Sequence, residues 1–218
     1  MREQLDAIEE RIASACARAG RRREEVTLIA VSKIFPAAAL EEAYALGLRE
    51  FGESYVQEFE VKKPQLQGMP EARFHLIGHL QSNKSRKAAE LFQTIQTVDS
   101  AKLARRLNDH GFPLDVMIEV KLSDEEAKHG ADPNELPAIV EAVRSCPQLS
   151  LRGLMTIPPW SEDAETARPY FIQLRELAAP LQLPALSMGM SNDFEVAIEE
   201  GATHIRVGTA LFGSRRKP

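Results

Sequence analysis

The chain has 218 residues, 44% of them apolar, with 27 basic and 32 acidic side chains and a formal net charge of -5. That length and apolar content suit one large α/β barrel or two small domains, and the negative balance argues against a general nucleic-acid binder; the short basic tail Arg215-Arg216-Lys217 reads as a solvated end. The charged start, the lack of an apolar run near ~18 residues, and Cys16 and Cys146 standing far apart without CxxC partners together read as a cytoplasmic protein with no membrane partner.

In chain order, Leu5, Ile8, Ile12, Ala15 and Ala19 share one face of a leading helix, closed by Gly20 and by Arg21-Arg22-Arg23, charges favourable at a helix C-terminus. Residues 27–32 form an apolar, β-branched run with the pattern of a buried strand, which delivers Lys33 to its C-terminal tip. Pro36 suits the first turn of a helix that ends at Gly47, so Lys33 is expected at a strand-to-helix corner. Residues 49–52 make a short second strand, and Ser54-Tyr55-Val56-Gln57 has capping-box spacing for a helix to about Leu66.

A third strand at 73–77 exits through polar residues 78–84 into a helix over 85–92, and a fourth strand at 94–98 leads to a helix capped by Asp99 or Ser100. The fifth strand, 114–120, is followed by a loop holding Lys121, Lys128, His129 and Gly130, and Asp132-Pro133-Asn134-Glu135 has the chemistry of a helix start. A sixth strand at 149–155, a break at Pro158-Pro159, a helix over 164–177, strands at 185–188 and 204–207, and an intervening helix from Asp193 to Glu200 complete the pattern. Eight strands alternating with helices favour a single (β/α)8 TIM-type barrel with an extra N-terminal helix, one domain over 1–218, rather than an open doubly wound sheet.

A barrel carries its site at the C-terminal ends of its strands. Lys33 at such an end is either an exposed, bland lysine or, if partial burial lowers its pKa from ~10.4, a nucleophile for a carbonyl. The turn at 187–193 contains Gly189 and could offer backbone N–H groups and the hydroxyls of Ser187 and Ser191 to an anion; capping by Ser191 or Asn192 is its simpler use. Gly208-Thr209 makes a second such turn after the last strand, where barrel phosphate sites commonly lie, and the pair together shifts the balance toward a phosphate ligand. Arg206 points either outward between helices or inward to a ligand.

Lys84, Arg86 and Lys87 read as solvated surface, His75 and His79 as structural, and no histidine has metal-ligand spacing. A lysine from the first strand and a phosphate cradle after the last two become neighbours when a barrel closes. Pyridoxal 5′-phosphate (PLP) has an aldehyde for one and a phosphate for the other, and Arg206 could then meet its pyridine nitrogen, where a permanent cation would weaken the ring as an electron sink.

These residues carry a resemblance. Ala30-Val31-Ser32-Lys33 with Pro36, Phe51-Gly52-Glu53 with Val56-Gln57-Glu58, His75-Leu76-Ile77-Gly78 with Leu80-Gln81 and Asn83-Lys84, Gly153-Leu154-Met155 with Ile157-Pro158, residues 186–191 with Asp193, and Arg206-Val207-Gly208 with Phe212-Gly213 together resemble the pyridoxal phosphate homeostasis protein family, whose fold is like the barrel half of alanine racemase. The resemblance implies that Lys33 holds PLP as a Schiff base, that Ser191, Gly208 and Thr209 help hold its phosphate, and that Arg206 lies near the ring. Ser54 stands where the family usually has Asn, so a cofactor contact there would be shortened, replaced by water or lost; Arg73 stands where an aromatic residue is frequent.

The implied role is PLP binding in vitamin B6 and amino-acid homeostasis, with PLP-dependent apoenzymes as candidate partners, a monomeric chain, and no catalytic or metal-binding residue. The alternative is a weakly active PLP-dependent racemase or related enzyme. Racemases of this fold add a β-domain and a partner subunit that supply a second acid/base, whereas this chain stops soon after Gly213, and Tyr44, Tyr55 and Tyr170 are all expected in helices. A Schiff-base aldolase without cofactor is a third reading.

Overall fold

The computed structural model describes residues 1–123, 125 and 129–213; Lys128 and the basic tail at 215–217 lie outside them. Among the described residues, eight parallel strands close into a barrel in sequence order: β1 (Thr27–Val31), β2 (Glu50–Glu53), β3 (Arg73–Leu76), β4 (Thr94–Val98), β5 (Leu114–Glu119), β6 (Leu149–Met155), β7 (Ala185–Met190) and β8 (His204–Val207). β8 pairs back onto β1 with Ile29 opposite Arg206, which closes the ring expected from the βαβ spacing.

The helices follow the strands. α1 (Arg2–Arg18) precedes the barrel; α2 (Ala37–Ala45), α3 (Val56–Lys62), α4 (Ser85–Leu91), α5 (Ala101–Asn108), α6 (Leu136–Arg144), α7 (Arg168–Ala178), α8 (Phe194–Glu199) and α9 (Thr209–Phe212) follow β1 to β8 in turn. α1 buries Leu5, Ile8, Ile12, Ala15 and Cys16, and Ala19 falls outside the helix as its C-cap. The basic run closing α1 ties it to other elements: Arg21 donates to the Ile198 carbonyl at 2.8 Å and Arg23 pairs with Glu9 at 2.7 Å. Arg11 and Arg18 add ion pairs to Glu195 and Glu199 on α8.

Strand alternation sorts the side chains into two layers. Leu28, Ala30, Phe51, Phe74, Leu76, Val116, Ile118, Leu154, Ile205 and Val207 join one apolar layer between sheet and helices. The opposite set, including Ile29, Met117 and Met155, fills the barrel, and with it come His75, Gln96, Glu119, Ser187 and Arg206, all buried.

These interior polar groups form a continuous chain. Arg206 Nη1 donates to Ser187 Oγ at 2.8 Å, Ser187 donates to Gln96 Oε1 at 2.6 Å, Gln96 Nε2 meets His75 Nδ1 at 3.0 Å, and His75 Nε2 meets Glu50 at 2.6 Å. Because Gln96 Nε2 can only donate, His75 Nδ1 is an acceptor and Nε2–H donates to the Glu50 carboxylate. The chain runs from the barrel floor to Arg206 near its mouth and pairs each buried polar group it contains.

Three local expectations are corrected. α3 begins after Tyr55 without a side-chain cap, so Ser54-Tyr55-Val56-Gln57 is not a capping box and Ser54 stays in the strand exit. Pro36 takes the N-cap position rather than the first turn of α2. β7 continues to Met190, two residues beyond its expected end.

Candidate functional site

Two adjoining cavities open at the C-terminal end of the barrel, one of about 320 Å³ and one of about 350 Å³. Lys33, Ser54, Ile77 and Ile157 line both. Ser191, Arg206, Gly208 and Thr209 line the smaller one, so all six candidate residues border a single space. Gly78 makes the wall close: a Cβ there would lie 2.2 Å from the Ser54 carbonyl oxygen, so only glycine lets the exits of β2 and β3 meet.

Lys33 sits two residues beyond β1, at the corner expected from Pro36 and the preceding apolar run. Ile34, next to it, has φ 72°, a left-handed conformation that is costly for a β-branched residue. Its N–H donates to Glu58 at 2.6 Å. The buried Lys62 ammonium donates to the Ser32 carbonyl at 3.1 Å, to Glu53 at 2.8 Å and to Glu58 at 2.9 Å, and Ser32 Oγ donates to Glu53 at 2.8 Å. Burial raises the Glu53 pKa, with Lys62 opposing it, and the second Glu53 oxygen has no hydrogen-bond partner among the described residues.

At the other end, Ser191 Oγ accepts from the Gly208 and Ala210 amides at 3.3 and 3.4 Å. These bonds are longer than the usual ~2.9–3.0 Å, so a charged oxygen would be a better partner for the same donors. Asp193 caps the β7 turn by accepting from Met190 N at 2.6 Å. Ser187 belongs elsewhere: it is fully buried within β7 and committed to Gln96 and Arg206, so it does not join the turn's hydroxyls.

Arg206 points inward. Its Nη2 donates to the Thr156 carbonyl at 2.8 Å, and full burial lowers its pKa to about 10, with Asp193 and Glu119 opposing; it is still a cation at neutral pH. With an amine at one end, amide and hydroxyl donors at the other and a fixed guanidinium between them, the smaller cavity suits a short, planar, anionic carbonyl compound. PLP meets that description, and the residues present fit it.

The larger cavity holds what the sequence did not reveal. Glu119 is only 5% exposed, one of its oxygens has no partner among the described residues, and burial raises its pKa to about 7. His79, read from sequence as structural, lines this cavity and stacks on His129 with ring centroids 3.7 Å apart. Burial and the His129 ring lower the His79 pKa while Asp99 opposes them, which favours neutral imidazole. Tyr55, expected within a helix, instead precedes α3 and lines the same cavity, and Trp160, 76% exposed, borders the smaller one. Glu53 and Glu58 stood in the sequence motifs, but their pairing with Lys62 was equally hidden, because it is set by how α3 packs on the β1 exit.

Comparisons with known proteins agree with this geometry. The model of the alanine racemase N-terminal domain family matches residues 4–216. The chain is similar to a pyridoxal phosphate homeostasis protein of Pseudomonas aeruginosa, 48% identical over 98% of this chain and 95% of the relative. It is also similar to PipY of Synechococcus elongatus PCC7942, solved without PLP (46% identity, TM-score 0.85) and with PLP bound (45% identity, TM-score 0.83), each covering 94% of this chain and 100% of PipY. On these matches, which span nearly its whole length, the chain belongs to the alanine racemase N-terminal domain family and, within it, to the pyridoxal phosphate homeostasis proteins.

Proposed function

We propose that this protein binds PLP in the smaller cavity as a Schiff base on Lys33 and serves intracellular PLP and amino-acid homeostasis without efficient turnover. In this reading Ser191, Gly208 and Thr209 receive the phosphate, Arg206 faces the pyridine nitrogen, and Ser54 borders the ring. The observation that carries the reading is that Lys33 and both anion-compatible turns line one cavity of about 320 Å³. When bound, the cofactor supplies an electrophilic carbon and an electron-withdrawing ring; Arg206, a cation held by Ser187 and Thr156, disfavours a proton on the ring nitrogen. PipY with PLP bound supports the ligand.

The decisive experiment is a visible spectrum of purified protein before and after borohydride, beside Lys33→Ala. The wild type should be yellow and retain the pyridoxyl group after reduction, and the variant should not. A variant as yellow and as trappable as wild type would remove Lys33 as the anchor.

A second reading, a weak PLP-dependent amino-acid enzyme, gains from one observation: Tyr55 lines the cavity next to Lys33 and offers a phenol that was expected to lie within a helix. Sustained racemisation at ordinary enzyme rates, ~1 to 1000 per second, would favour that reading over a carrier.

A further inference from the structure

Lys33 leaves the sheet in a tight turn: the Ser32 N–H still donates to the Gly52 carbonyl at 2.9 Å, and the Phe35 N–H closes the turn onto the Ser32 carbonyl at 3.1 Å. A largely buried charged cluster adds to that hold on both sides. Before Lys33, the Lys62 ammonium donates to the Ser32 carbonyl at 3.1 Å; after it, Glu58 Oε1 accepts the Ile34 N–H at 2.6 Å. Lys62 joins the two ends, because it also donates to that Glu58 oxygen at 2.9 Å and to Glu53 at 2.8 Å. All three ammonium N–H groups are thereby used.

A buried ion pair is a poor device for stability alone, since apolar side chains of the same volume serve as well or better. Lys62 is 6% exposed, and its donors end on the backbone beside Lys33. Glu58 adds a second hold on the left-handed Ile34, beside the Ser32–Phe35 turn bond, and so helps to fix the direction in which the preceding residue leaves the strand. Phe35 then stacks on Phe212 at 5.0 Å, which joins the same segment to the helix after Gly208. We infer that Lys62, Glu58 and Glu53 are positioning residues that present the Lys33 amine to the aldehyde carbon of a bound cofactor.

The inference rests on the reading of Lys33 as the cofactor anchor. Schiff-base formation joins Nζ to the aldehyde carbon and expels the aldehyde oxygen as water, with both hydrogens of the neutral amine. Misplacing that nitrogen therefore weakens binding of the aldehyde while leaving the phosphate and ring contacts in place.

The test compares binding of PLP with that of pyridoxamine 5′-phosphate, which keeps the phosphate and ring but has no aldehyde, for wild type, Lys62→Met, Glu58→Ala and Lys33→Ala. Lys62→Met and Glu58→Ala should weaken PLP binding about tenfold to a hundredfold, the scale of a misplacement near 1 Å, with pyridoxamine 5′-phosphate affinity nearly unchanged. Equal losses for both ligands, or no loss for either, would overturn the inference and leave the cluster a purely structural one. If Lys62→Met fails to fold, Glu58→Ala, at a partly exposed side chain, carries the same comparison. Failure of the underlying reading looks different: Lys33→Ala would then keep the wild-type preference for PLP.

Discussion

Among single residues, Glu119 makes the most measurable demand on the fold. Its carboxyl is held protonated to about pH 7 by burial, whereas in the unfolded chain it ionises near 4.5. Between those values the native state binds more protons than the unfolded state, so stability falls as pH rises through that window and is level above it. The difference amounts to about 3 kcal/mol. Glu119→Gln should therefore gain up to about that much at pH 8 and nothing near pH 4. Urea unfolding at a series of pH values measures it, and a gain independent of pH would show that the carboxyl is not the cause. That Lys33, Ser191, Gly208 and Thr209 would stand at strand exits was legible, because strand exits and turns announce themselves locally; that they border one cavity needed the closed ring. Arg206 was half legible: its place in a strand was plain, but whether it faced in or out depended on a register that only closure supplies. Lys62 and Glu119 carried no local signal, since the surroundings of each are set only by what packs around it.

At the scale of elements, strand and helix positions were readable because βαβ units alternate apolar runs with amphipathic ones at regular intervals. The failures were at ends. Ser54-Tyr55-Val56-Gln57 has the composition of a cap, but β2 runs on through Glu53 and places Ser54 in the cavity wall, so tertiary pairing overrides capping preference. Gly153 shows how tight such pairing is: a Cβ there would lie 1.8 Å from the Ala185 carbonyl oxygen, inside the β6–β7 ladder. Gly153→Ala should cost about 3 kcal/mol or more, because backbone rather than a movable side chain must give way. Gly68→Ala is the control: nothing lies within 4 Å of its added carbon, and its thermal midpoint should stay near wild type.

At the scale of the whole molecule, the ring joins the two ends of the chain through the β1–β8 seam, where Thr27 to Ala30 align with His204 to Val207. Under the proposed function, a ligand fastened to Lys33 on one side and to the 208–209 turn on the other spans that seam like a clasp. It binds only the sealed ring, so it should stabilise by about 2.7 kcal/mol at a free concentration a hundred times its Kd. The protection should be uneven: amide hydrogen exchange should slow in β1 and β8 before it slows at β4 and β5, across the barrel. Uniform slowing would mean that the seam is not where the ring opens. Under that reading the first and last strands grip opposite ends of one small molecule, so whatever tightens the ligand also tightens the join that completes the ring.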